Sequence, residues 1–260
     1  MHIDLAGKRA IVTGSTAGIG FAIAQGLALA GAQVVLNGRT QARVDAALAQ
    51  LAAPSAIGVA ADLATVEGVT AFLAAAGTAD ILVNNMGIFE MKPFQEITDE
   101  EWHRFFDTNV MSGIRLSRHY LPAMAAKGWG RVVFISSESG MNIPVEMIHY
   151  GMTKTAQLAI SRGLAEAMAG TGVTVNAVLP GPTRSEGVGN LTSKMAAERG
   201  LTQEQVEDEF IRTLRPTSVI RRMASVEEVA NMVVYVCSEQ ASATTGAALR
   251  ADGGLLRHFG

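Results

Sequence analysis

The chain has a single cysteine in 260 residues, Cys237, so no intramolecular disulfide can form. That thiol closes the apolar run Met232-Val-Val-Tyr-Val-Cys237 and reads as a small buried hydrophobe rather than a nucleophile. Charge is also scarce. Only 17% of residues are charged and the net charge is −3, with no basic stripe, so a nucleic-acid partner is not expected. No apolar run reaches the roughly 20 residues of a membrane span, and the opening Met1-His-Ile-Asp-Leu-Ala-Gly-Lys has no secretory core. A cytoplasmic protein without a membrane partner is the expectation. The five histidines show no metal-ligand spacing, so no metal site is expected. There is no Pro-rich linker and no internal repeat, which leaves residues 1–260 as one domain.

What the chain does have is apolar material: 48% of it is hydrophobic, enough for the deep core of a large α/β domain. Short β-branched runs alternate with Ala-rich helical stretches. Strands are expected at residues 9–13, 33–37, 57–60, 81–83, 131–135, 173–178 and 247–250. Helices fall between them, the first running from the Gly-rich turn to about Ala30. One long helix is expected from the capping box Thr98-Asp-Glu-Glu101 to Lys127. This alternation implies right-handed crossovers and a doubly wound α/β domain, a mostly parallel seven-stranded sheet of Rossmann type with helices on both faces. Residues 182–223 break the pattern. They are richer in charge and carry no strand signal, as a binding loop or lid would.

Several motifs fall at the ends of these strands. Gly14, Gly18 and Gly20 lie between the first strand and the first helix, where backbone N–H groups can face a pyrophosphate; a plain tight turn is the competing reading. Asp62, before Leu63, suits either an adenine amino group or a helix N-cap. Asn84-Asn85-Met86-Gly87 follows the fourth strand and suits either a ligand or ordinary turn chemistry. Tyr150 and Lys154 are four apart on a helix and share a face. An ammonium beside a phenol favours the phenolate, so Lys154 is expected to lower the Tyr150 pKa from its usual value of about 10. His149 points elsewhere on that helix and reads as a packing or rim residue. Met86, Met141 and Met147 are candidates to line an adaptable apolar pocket.

Taken in order, these motifs resemble the short-chain dehydrogenase/reductase family. The matching residues are Thr13-Gly14-x-x-x-Gly18-x-Gly20, Asp62, Asn84-Asn85-x-Gly87, Asn109, Ser137, Tyr150-x-x-x-Lys154, Asn176, Pro180-Gly181 and Asp252-Gly253-Gly254. Met86 departs from the alanine commoner in the family. The resemblance implies that Tyr150 exchanges a proton with the substrate oxygen and that Ser137 polarises the carbonyl. Lys154 would tune Tyr150 and bond the nicotinamide ribose, and Asn109 would hold a water linking Lys154 to solvent. It also implies cofactor contacts from Gly14, Ser15, Gly18, Ile19, Gly20, Asp62, Leu63, Asn85, Gly87, Tyr150, Lys154, Pro180, Gly181 and Thr183. Some relatives of this kind reduce 3-oxoacyl thioesters.

The second strand ends Leu36-Asn37-Gly38-Arg39. NAD-preferring folds usually place an acid there; here Gly38 takes its position and Arg39 can pair with a 2′-phosphate, unless it is simply solvated. NADP(H) is therefore the expected cofactor, with NAD(H) as the alternative. The expected reaction interconverts a small-molecule carbonyl and a secondary alcohol. The rivals are an NAD-linked alcohol dehydrogenase or epimerase on the same scaffold, and a non-catalytic dinucleotide-binding sensor. Met152, Ala156, Ala159 and Gly163 form a row of small and flexible residues along the Tyr150 helix, and the family resemblance favours a homotetramer through it.

Overall fold

A computed structural model of the chain describes residues 2–257. Seven strands, β1 (Arg9–Val12), β2 (Gln33–Gly38), β3 (Ile57–Ala60), β4 (Ile81–Asn84), β5 (Gly130–Ile135), β6 (Val173–Pro180) and β7 (Ala248–Ala251), form one sheet in the order β3-β2-β1-β4-β5-β6-β7. Every pairing is parallel. This is the expected Rossmann-type architecture. β6 runs two residues further than the sequence pattern suggests, and its last residue, Pro180, reaches the edge of the site.

The strands alternate their side chains between two apolar layers, as a period of two requires. Val12, Leu36, Val83 and Ile135 face one layer, packed with residues of α1 (Gly18–Leu29) and of a late helix at Val226–Val236. Ile11, Val35, Leu82 and Phe134 face the other, packed against α3 (Val66–Ala76) and the helices that follow β4. Between α1 and α3 the chain forms α2 (Gln41–Leu51) beside β2 and β3. A sheet buried on both faces explains why its strands read as continuous apolar runs. The chain runs outward from β1 to β3, then returns to place β4 on the other side of β1. That reversal opens a crevice at the carboxyl ends of β1 and β4, where ligands bind in open α/β sheets.

The single long helix expected after Thr98 is instead two helices. α4 (Asp99–Phe106) begins at the capping box, with Thr98 and Glu101 bonded reciprocally. A π-helical turn at Asp107–Met111 follows, and only then α5 (Ser112–Lys127). The Ser112 hydroxyl donates to the Thr108 carbonyl at 2.6 Å, a back-bond inside the irregular turn. α6 (Ile148–Ala167) then carries the Tyr150 motif between β5 and β6.

The excursion after β6 holds two helices, α7 (Glu186–Arg199) and α8 (Gln203–Leu214), capped by Ser185 and Thr202. The chain closes through α9 (Val226–Val236), the late helix already met, capped by Ser225. Among the described residues, no helix is long and apolar enough to cross a membrane.

Candidate active site

The Gly-rich turn is shaped by close approach. Gly14 and Gly18 sit at φ +59° and +57°, left-handed values that disfavour any side chain. A Cβ on Gly20 would lie 2.4 Å from Asn85 Nδ2 and 2.5 Å from the Gly14 carbonyl. Three side chains then lock the turn. Asn37 Oδ1 accepts from Gly14 N at 3.2 Å. The Ser15 hydroxyl donates to the Val12 carbonyl at 2.7 Å and accepts from Asn37 N at 3.0 Å. Asn85 Nδ2 donates to the carbonyls of Thr13 and Gly14 at 2.9 and 3.0 Å. Asn85 thus holds the turn in place, and Ser15, wholly buried, has its hydroxyl turned away from the cleft. The N-cap of α1 is Ala17, which offers no side-chain cap, and the first turn carries no acid. Its N–H groups remain open to an anion.

Around this turn the other expected cofactor residues, and the further motif residues Asn176 and Asp252, separate. Arg39 is exposed and has no ion-pair partner among the described residues. Asp62 is exposed and accepts from Ala64 N at 3.1 Å. The N-cap of α3 is Thr65, not Asp62, because the Thr65 hydroxyl is the group that reaches Gly68 N. Leu63 is fully buried in the core. Asn176 serves the sheet: its amide spans Thr244 and Ala247 at the start of β7. Asp252 folds the Gly253-Gly254 turn by accepting from Gly254 N and Leu256 N.

At the carboxyl end of β5, two serines diverge as strand alternation predicts. Ser136 donates to the Lys154 carbonyl at 2.8 Å and ties α6 to the strand. Ser137 caps a 3-10 turn at Glu138–Gly140 by accepting from Ser139 N at 3.1 Å. A Cβ on Gly140 would lie 2.9 Å from the Lys154 carbonyl carbon, so only glycine lets α6 come this close. Ser137, Tyr150 and Lys154 consequently border one cavity of about 210 Å³, with Ile19, Asn85, Gly87, Pro180, Gly181 and Thr183 also on its wall.

The electrostatics differ from the expected lowering of Tyr150 by Lys154. Burial pushes the Tyr150 phenol up to about 12, with the Ser137 hydroxyl pulling weakly the other way. Burial pushes the Lys154 ammonium down to about 7. Lys154 Nζ sits over the Tyr150 ring, 5.5 Å from its centroid. It donates to the Ile135 carbonyl at 2.8 Å and to Gln157 Oε1 at 3.3 Å.

Asn109 lies behind Lys154 in the π-turn, buried. Its side chain donates to the Ile88 carbonyl and Thr153 Oγ1 and accepts from Ile88 N. Its backbone carbonyl accepts from Gln157 Nε2 at 2.6 Å.

Two further residues of the site have no motif signal. Glu138, next to Ser137, is bonded by Arg215 Nε at 3.0 Å, and Arg215 Nη1 reaches Glu146 at 3.2 Å. Both Glu138 and Arg215 are nearly inaccessible and border the cavity. Burial raises the Glu138 pKa while Arg215 opposes the rise. The remaining wall is mostly apolar, with Ser139, Ser185 and Thr192 among it. Phe89 sets its edge against Tyr150 at 6.3 Å. Met91, Met147, Met195 and Met223 line it, whereas Met86 and Met141 pack into the core on the other side. His149 is a packing residue, with its ring 4.0 Å from that of Phe105.

A family model described as short chain dehydrogenase matches residues 8–196. The uncharacterized oxidoreductase YvaG of Bacillus subtilis is 48% identical, over 99% of each chain. The D-beta-hydroxybutyrate dehydrogenase of Rhizobium meliloti is 34% identical, over 95% of this chain and 98% of that one. The solved L-sorbose reductase of Gluconobacter frateurii, complexed with NADPH and L-sorbose, superposes with a TM-score of 0.93 at 33% identity, each chain covered completely.

Proposed function

Since the chain belongs to the short-chain dehydrogenase/reductase family and is an NAD(P)(H)-dependent oxidoreductase of carbonyl and alcohol groups, we propose that it reduces an uncharged ketone with NADPH, Tyr150 acting as the general acid. The observation that carries this reading is the shared cavity of Ser137, Tyr150 and Lys154, beside Gly87 and the open end of α1. The site fits a dinucleotide: the Gly14, Gly18 and Gly20 cradle leaves no space for a Cβ at Gly20, and Arg39 is exposed at the outer end of β2. When bound, the nicotinamide supplies the hydride.

The protein's own groups handle the proton and the geometry. Ser137 orients the carbonyl oxygen toward Tyr150. With its pKa at about 12 the phenol is protonated near neutral pH, which is the form that donates. As the proton leaves, Lys154 in its charged form stabilises the phenolate that results. An uncharged substrate is favoured because Arg215 on the cavity wall is already paired with Glu138 and Glu146, which leaves no spare guanidinium for a carboxylate, and most of the wall is apolar.

NADP(H) preference is supported by Gly38 and Arg39 at the end of β2, and by the NADPH carried by the similar L-sorbose reductase. A homotetramer is proposed with this reading, because Ala159 and Gly163 on α6 are exposed and a Cβ on Gly163 meets nothing within 4 Å. A cytoplasmic setting accords with the lone, fully buried thiol of Cys237.

The test is NADPH consumption with a panel spanning simple ketones, L-sorbose and acetoacetate. The uncharged members should turn over faster than acetoacetate. Tyr150→Phe should keep its fold and its NADPH affinity, and lose about 10²–10⁴-fold in kcat. Near-normal turnover by the folded variant would overturn the role given to Tyr150.

A further inference from the structure

Lys154 is buried, and among the described residues no carboxylate pairs with it. The one side-chain acceptor its ammonium meets, among the described residues, is Gln157 Oε1 at 3.3 Å. One turn further along α6 than Lys154, Gln157 is 1% exposed, and its other end donates to the Asn109 carbonyl at 2.6 Å. The orientation of this amide is dictated by its partners. An ammonium can only donate and a carbonyl can only accept, so Oε1 must face Lys154 and Nε2 must face Asn109. The π-turn matters too, since Asn109 is one of its residues and its carbonyl is turned to a side chain of α6. A leucine would fill the same buried space on α6, so a carboxamide bonded at both ends needs a polar reason to be there.

We propose that Gln157 is a positioning residue of the active site: its carboxamide bridges the Asn109 carbonyl and Lys154, and holds Lys154 charged and aimed. This rests on the role given above to Lys154. Unlike a water, the amide is a fixed dipole that cannot turn to offer the ammonium a hydrogen. It therefore favours the protonated lysine at all times.

The surroundings leave few other groups to set that charge. On α6 itself Tyr150 is the titratable neighbour, and His149 packs on Trp102 and Phe105. From the turn after β5 comes Glu138, bonded to Arg215, which also takes Glu146 of the Val145–Met147 turn. In the π-turn, Asp107 pairs with Arg115. From α4, Glu101 pairs with Lys92 and Arg104 with Glu90. β6 carries no charged residue, and on β5 Arg131 lies at the far end, bonded to the Ser238 carbonyl.

The experiment measures two quantities in wild type, Gln157→Leu and Gln157→Glu. One is the titration midpoint of the Lys154 side chain in cofactor-free protein, read by carbon-detected NMR. The other is the basic limb of the pH profile of kcat/KM, with NADPH and the fastest ketone of the panel. Removing the acceptor should move both to lower pH by about one unit in Gln157→Leu. A carboxylate in its place should move both to higher pH in Gln157→Glu. Gln157→Met takes the place of the leucine variant, with the same expectation, if the latter does not fold. A merely structural tie would lower melting temperature and leave both midpoints where they are. Unmoved midpoints, shifts of the same sign in both variants, or an NMR shift without a shift in the rate limb would each overturn the proposal. Normal turnover by Tyr150→Phe would instead remove the catalytic reading, and the NMR midpoint would still decide whether Gln157 holds the charge.

Discussion

Gly38 ends β2 with no room for a side chain: a Cβ there would lie 2.4 Å from Thr16 Cγ2 and 3.3 Å from Val44 Cγ2. This bears on cofactor choice. Gly38→Asp places a carboxylate where NAD-preferring folds hold the ribose 2′-OH, so the kcat/KM ratio of NADPH to NADH should fall. The same substitution overpacks the turn, and melting should show a loss of about 1–3 kcal/mol. Adding Thr16→Ser removes the clashing methyl. The double variant should regain most of that stability and use NADH better than the single one; no recovery would show that Thr16 is not the obstacle.

At this scale the sequence was legible where residues fall into an ordered set of motifs. Tyr150, Lys154 and Ser137 border one cavity, a grouping that the family resemblance implies and that the Tyr150–Lys154 spacing alone does not single out. Gln157 was not legible, because a glutamine on an amphipathic helix normally faces water. Neither was the Glu138–Arg215 pair, whose members are 77 residues apart and joined only by the fold. Asn37 did leave a signal, a polar side chain inside an otherwise apolar strand, which asks for a buried hydrogen-bond partner.

Among the elements, the π-turn and the end of α8 do the positioning. The break between α4 and α5 sets the Asn109 carbonyl toward Gln157, and Arg215, the C-cap of α8, reaches back to the turn after β5. Arg215→Leu leaves the Glu138 carboxylate buried without its cation. Unfolding in urea should register a loss of about 3–5 kcal/mol. Arg215→Leu combined with Glu138→Leu should recover much of it, since the cost lies in the unpaired charge. Equal losses in both variants would place the effect in packing alone.

The strands were readable because burial on both faces makes them continuous and apolar. The π-turn left no pattern, since it inserts within an otherwise regular helical period. α8 does carry an amphipathic stripe, Val206, Phe210, Ile211 and Leu214, but it lies in a charged stretch between prolines where loop signals dominate. α7 has three glycines in its neighbourhood and no apolar face to read.

For the whole molecule, the exposed Ala159 and Gly163 on α6 predict assembly. Light scattering behind size exclusion should give about four times the 27.3 kDa chain mass. Ala159→Arg should reduce that mass, because it forces a bulky charge into a close helix contact. A monomer at micromolar concentration in the wild type would reject the assembly.

The central place of β1 has another consequence, for the time before the molecule is complete. β1 pairs with β2 on one side and with β4 on the other, Ile11 lying opposite Val35 and Leu82. During synthesis β2 and β3 emerge first, so a three-stranded sheet can form while the inner edge of β1 still lacks its neighbour. At about 5–20 residues per second, the ribosome needs a few seconds to deliver β4. For that interval the central strand of the sheet, largely apolar, offers unpaired N–H and C=O groups to any other extended chain. The order of strands that creates the binding crevice in the finished protein is the same order that leaves its centre open longest while the protein is being made.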